Sequence, residues 1–120
     1  MILVDTSVWI DHLRSGNRRL ESLLGDGDVL IHPFVIGELA CGALHNRDQV
    51  LSLLQALPEA DVAEHSEVIG FLDRERLHGR GIGWIDAHLL ASARLSDAPL
   101  WTLDRRLSRI AAALTLSFGA

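Results

Sequence analysis

The chain has 120 residues, enough for one hydrophobic core and too few for two domains. Hydrophobic residues make up 48% and the mean hydropathy is +0.21, so burial beyond one monomer's core is expected, as in a homodimer or against a bound partner. Lysine is absent and all 11 basic residues are arginine, which excludes a Walker A phosphate loop and Schiff-base chemistry.

Residues 2–5 read as a short buried strand, Ile2-Leu3-Val4 closed by Asp5. Thr6 or Ser7 can cap a helix over about 7–14. Ser15-Gly16-Asn17 breaks it, and a second short helix over about 17–25 ends in the turn Gly25-Asp26-Gly27-Asp28. Val29 to His32 is the second strand. Pro33 fits the first turn of a helix whose apolar residues continue to Leu44. Residues 48–57 are helical and stop at Pro58, and Glu59 to Ala63 is left as a short, ambiguous extended piece. Helical character returns from about Ser66 to His78, followed by the glycine-rich loop Gly79-Arg80-Gly81-Ile82-Gly83. Trp84 to Leu95 is strongly helical, Leu100 to Leu103 is a strand, and Asp104 can cap a helix over about 105–113. Leu114 to Phe118 is a candidate last strand.

Strands separated by helices argue for a parallel sheet covered on both faces. No apolar run approaches the roughly 18 residues that would span a bilayer. No basic leader or cleavage site precedes the first strand, so a cytoplasmic location is expected. Cys41 is the only cysteine, which excludes an internal disulfide and a thiolate metal cluster within one chain.

Four carboxylates carry the chemistry. Asp5 and Asp104 close apolar strands, and carboxyl ends of parallel strands face the crevice where such sheets bind ligands. Each could instead cap the helix that follows. Thr102, two residues before Asp104, shares its side of a regular strand. Glu38 has Phe34, Val35, Cys41 and Gly42 at helical spacing, so it is expected to be part-buried, with an arginine salt bridge as the ordinary explanation. Asp86 sits among Ile82, Gly83, Leu89 and Leu90 in the first turn of its helix, where the dipole favours an acid. Like charges sharing one pocket repel unless protonated or bridged by a cation, and an oxygen-only set suits Mg²⁺ or Mn²⁺. Receiver domains and haloacid-dehalogenase-like phosphatases also use strand-end acids, but they pair them with a lysine that this chain lacks.

The net charge of −5 does not decide the partner, because four acids belong to this site. Arginines lie near it: Arg80 in the glycine-rich loop, and Arg105, Arg106 and Arg109 after Asp104. Arg80 and Arg105 are candidate contacts for phosphate oxygens, the bland alternative being a solvated helix face. The six histidines show no zinc pair at helical spacing, and most are expected at the surface or half-buried. Trp9, Trp84 and Trp101 are expected in the core or at a dimer seam.

Val4-Asp5-Thr6-Ser7, Gly37-Glu38-Leu39, Trp84-Ile85-Asp86-Ala87 and Leu100-Trp101-Thr102-Leu103-Asp104 together resemble the PIN-domain ribonucleases, specifically the VapC-type toxins of bacterial toxin–antitoxin pairs. The resemblance covers residues 1–120 as a single PIN domain. It implies a three-layer α/β/α sandwich with a central, mainly parallel sheet, one or two Mg²⁺ or Mn²⁺ ions, and endonucleolytic cleavage of RNA. Asp5, Glu38 and Asp86 match the most regular acids of the family and Asp104 the more variable fourth, while Thr6, Ser7 and Thr102 match hydroxyl positions near the metal. A homodimer and a cognate VapB-like antitoxin are the implied partners. Competing readings are a metal-dependent phosphatase or DNA nuclease on the same acids, and a non-catalytic PIN-like binding partner.

Overall fold

A computed structural model describes residues 1–119. In chain order these form β1 (Ile2–Val4), α1 (Thr6–Ser15), α2 (Arg18–Gly25), β2 (Val29–Leu30), α3 (Pro33–Ala40), α4 (Arg47–Gln55), α5 (His65–Arg74), α6 (Trp84–Leu95), β3 (Leu100–Trp101) and α7 (Arg105–Ala113). The three strands are parallel in the order β2-β1-β3. Ile2 pairs with Val29 and Leu3 with Leu30 on one side of β1, while Leu3 pairs with Leu100 and Val4 with Trp101 on the other. The chain therefore leaves β1 in one direction to reach β2 and crosses back over it to reach β3. Right-handed crossovers in opposite directions place their helices on opposite faces, and the reversal makes a switch point at the carboxyl ends of β1 and β3.

Single parallel bridges widen the sheet at both edges, Ile31 to Glu59 and Leu100 to Ser117. The ambiguous extended piece and the expected last strand are thus real contacts reduced to one bridge each. The buried strand residues are apolar, with Leu3 and Val4 fully enclosed. α6 is the most buried helix, with every residue from Ala87 to Ala93 inside. Its small side chains let it lie close under the sheet.

Two helices end earlier than the apolar pattern suggests. α3 stops at Ala40, four residues before Leu44, where the Gly42 N–H reaches back to the Leu39 carbonyl at 3.1 Å and tightens the last turn. α5 stops at Arg74 rather than His78. Arg76 adopts a left-handed conformation (φ 53°) and the Leu77 N–H bonds the Leu72 carbonyl at 3.0 Å, closing a Schellman turn. No helix among the described residues is long and apolar enough to cross a membrane.

Candidate active site

The site forms where β1 and β3 end side by side. The Asp5 N–H donates to the Trp101 carbonyl at 2.9 Å, which fixes Asp5 at the end of the ladder. Asp5 is buried, and its Oδ2 accepts two hydroxyls: Ser7 Oγ at 2.8 Å and Thr102 Oγ1 at 2.7 Å. Those hydroxyls also accept backbone N–H groups, Ser7 Oγ from Leu103 at 3.0 Å and Thr102 Oγ1 from Asp104 at 3.0 Å. One small polar network therefore ties the start of α1 to the segment between β3 and α7. Asp5 occupies the N-cap position of α1, yet no side chain caps that helix. The expectation that Thr6 or Ser7 would cap it fails because both hydroxyls are committed to carboxylates.

Thr6 Oγ1 donates to Glu38 Oε1 at 2.7 Å, which brings α3 to the same rim. Glu38 is exposed, contrary to the part-buried position expected of it. The reason is the short α3: its Glu38 face opens onto a cavity instead of packing under another helix. Thr6, and no arginine, is the recorded partner.

Asp86 is half-buried in the first turn of α6, where its Oδ2 accepts the Gly83 N–H at 3.2 Å. Its pKa is raised, mainly by burial. The Gly83 N–H opposes the rise, and the charges of Asp5, Asp104 and Glu38 add to it. The charges of all three other acids thus act in the same direction on Asp86. Asp104 caps α7, accepting the Leu107 N–H on Oδ1 at 2.9 Å. Its capping and site readings therefore coexist. β3 ends at Trp101, so Thr102 and Asp104 are related through a turn, not through strand alternation.

A common pattern emerges. In each of the four carboxylates one oxygen accepts protein hydrogen bonds, while the other accepts none from the described residues. Each acid is anchored by one oxygen and presents the second. The single ion pair among the described residues, Arg94 to Glu75 at 2.7 Å, involves none of them. This oxygen-only, unneutralised set fits a hard divalent cation. Among the described residues, no three such side chains converge tightly enough to enclose an ion.

Arg105 lines a cavity with Gly81, Asp104, Arg106 and Arg109, but Arg80 does not. Most of the histidines are exposed or half-buried as expected, while His32 and His88 are buried. Their rings pack with Phe34, which lies 5.0 Å from His32 and 4.6 Å from His88 between centroids, and Trp84 sits edge-on to His88 at 4.6 Å. Trp9 and Trp101 are core residues as expected, whereas Trp84 remains 39% exposed.

Residues 2–113 match the PIN domain family. Ribonuclease VapC32 of Mycobacterium tuberculosis, in each of two strains, is 54% identical over 108 residues, covering 89% of this chain and 87% of the relative. A toxin–antitoxin complex from Klebsiella pneumoniae has the same fold, with a TM-score of 0.66 at 22% identity over 87% of each chain. FitAcB from Neisseria gonorrhoeae is similar at a TM-score of 0.61 and 24% identity, over 93% of this chain and 94% of that one. With the family match running from β1 through α7 and more than half of the aligned residues shared with a ribonuclease, the chain belongs to the PIN-domain family, among its VapC-type ribonuclease toxins.

Proposed function

We propose that this ribonuclease toxin cleaves RNA phosphodiester bonds with one or two Mg²⁺ or Mn²⁺ ions held by Asp5, Glu38, Asp86 and Asp104. The observation that supports this reading is that each of the four carboxylates is anchored by one oxygen and offers the other, and that the charges of Asp5, Glu38 and Asp104 all act on Asp86. A bound divalent ion would lower the pKa of a coordinated water and offset charge on the phosphate. The chain's own part is positioning. Ser7 and Thr102 hold Asp5, Thr6 turns Glu38, and the α6 and α7 termini fix Asp86 and Asp104.

Residues 1–120 act in this reading as a single PIN domain, a cytoplasmic homodimer restrained by a VapB-like antitoxin. Two apolar cavities support such a partner. One of about 380 Å³ lies between Ile10, Leu13, Leu39, Leu44 and Glu38. Another of about 320 Å³ lies between Trp9, Leu13, Leu24, Leu53 and Leu57. Leu13 belongs to both, so an extended apolar segment can cross from one to the other and end beside Glu38.

The test incubates purified protein, freed of antitoxin, with structured RNAs and Mg²⁺ or Mn²⁺. EDTA and Asp5→Asn serve as controls, and DNA and a phosphomonoester as alternative substrates. Cleavage confined to RNA and lost in both controls is expected. Cleavage that persists in EDTA would remove the metal from the account. Turnover of DNA or phosphomonoester alone would move the chain to another activity on the same acids.

A further inference from the structure

The cavity beside Asp104 is basic, and nothing in the carboxylate chemistry requires it. It measures about 420 Å³ and is lined by Gly81, Asp104, Arg105, Arg106 and Arg109. We propose that it holds a backbone phosphate of the RNA next to the scissile one, with Arg105 and Arg109 as its ligands and Arg106 as the side chain that fixes its wall. The proposal rests on the reading of this chain as an RNA-cleaving enzyme.

The physical case starts from the cost of the arrangement. Arg105 and Arg106 occupy the first turn of α7, which contains no acid. That end of a helix carries partial positive charge and disfavours cations. Arg105 and Arg109 stand four residues apart, so two like charges also face each other along one side of the helix. None of the three forms an ion pair among the described residues. An ordinary solvated helix would place its cations in the last turn, and α7 has no basic residue there. The chain thus gathers three guanidinium groups around one concave space with a single carboxylate, Asp104, among them. A phosphate relieves this directly, because its oxygens accept paired N–H donors from a guanidinium.

The position of the cavity selects which phosphate. Asp104 is the one acidic residue in its lining, and its N–H bonds the Thr102 hydroxyl that holds Asp5. An anion in the cavity therefore lies one side chain away from the cleavage centre, where the next phosphate of the same strand would run.

Arg106 has a different task. Its Nη1 donates to the Gly81 carbonyl at 3.3 Å. Gly81 has φ +81°, and a Cβ there would overlap the Arg106 guanidinium. Arg106 thus latches the loop before α6 onto α7, joining the segment that leads to Asp86 to the helix capped by Asp104. It is a positioning residue, with the cavity wall as its product.

The experiment measures binding of a fluorescein-labelled, mixed-sequence single-stranded oligoribonucleotide by anisotropy, in EDTA to prevent cleavage, over a series of NaCl concentrations. Wild type is compared with the Arg105→Gln/Arg109→Gln double variant, with circular dichroism confirming the fold and Mn²⁺ titration reporting the carboxylates. The expected result is roughly tenfold weaker binding and a salt slope shallower by about 0.7 for the lost phosphate contact. Mn²⁺ affinity should be unchanged. Wild-type binding with the same slope and affinity in the variant would overturn the phosphate site and leave the nuclease reading standing. Absence of binding by the wild type itself would overturn both.

Discussion

The Thr102 hydroxyl donates to Asp5 Oδ2 across 2.7 Å, joining residues 97 positions apart at the ends of two neighbouring parallel strands. Thr102 Oγ1 also accepts the Asp104 N–H, so one side chain positions two of the four acids. Thr102→Val keeps the shape of the residue and removes both bonds. Leaving a buried carboxylate oxygen and a backbone N–H short of partners should cost about 1–3 kcal/mol, read by urea unfolding. Mn²⁺ affinity should fall roughly 10- to 100-fold, as it does when groups that orient metal ligands are lost. A variant with wild-type metal affinity would mean that Asp5 holds its position without Thr102.

Asp104 has two roles that substitution can separate. Its Oδ1 caps α7, and its charge adds to the repulsion felt at Asp86. Asparagine caps as well as aspartate, whereas alanine does not. In metal-free buffer, Asp104→Ala should lose about 1 kcal/mol of stability, and Asp104→Asn should match or exceed wild type because one like charge is gone. Both should cleave RNA more slowly. Equal destabilisation of the two variants would show that the carboxylate charge, not the cap, stabilises the metal-free fold.

The acids were legible in the sequence because each interrupts a strong apolar pattern: Asp5 after Ile2-Leu3-Val4, Asp104 after Leu100 to Leu103, and Asp86 just ahead of the buried run Ala87 to Ala93. Their supports were legible only as residue types. Ser7 and Thr102 lie 95 positions apart, and their 3.3 Å approach depends on strand order, which no local pattern encodes. Glu38 misled for a related reason. Its neighbours at three and four residues are apolar, but α3 ends at Ala40, so the face that periodicity assigns to the core opens to solvent instead. The burial of His32 and His88 was hidden because each looks like an isolated polar residue until Phe34 and Trp84 close around them.

Gly81 and Gly79 form a matched pair. Both have positive φ, +81° and +74°, but a Cβ would overlap Arg106 only at Gly81 and would meet nothing at Gly79. Alanine at either position should cost about 1–2 kcal/mol for the left-handed backbone. Gly81→Ala should lose more, and RNA cleavage should fall with it as the loop before Asp86 shifts. Removing the guanidinium in a Gly81→Ala/Arg106→Ala double variant should recover the steric part of the stability loss. Equal thermal midpoints for Gly79→Ala and Gly81→Ala would show that the Arg106 contact yields without cost.

Acid sensitivity should come from His32. Its Nδ1 accepts the Phe34 N–H at 2.9 Å and caps α3, which leaves the proton on Nε2, a buried atom without a partner. A second proton would charge a ring enclosed by apolar and aromatic groups. Burial, and then repulsion from His88, lower its pKa from 6.5 to about 4. Between these values the unfolded chain binds the proton and the folded chain does not. Stability is therefore fully present above about pH 6.5, declines as pH falls, and levels off below about 4, with a total loss on the order of 3 kcal/mol. His88 is lowered for similar reasons, burial and then His65, and acts in the same direction. Asp86 opposes them, since a carboxyl with a raised pKa gains stability as it protonates. Urea unfolding of wild type and His32→Asn in metal-free buffer isolates the histidine, because asparagine can still cap α3 and does not titrate. The variant should be less stable at neutral pH, and the gap should close as pH falls toward 4. A gap that stays constant across that window would place the acid sensitivity elsewhere.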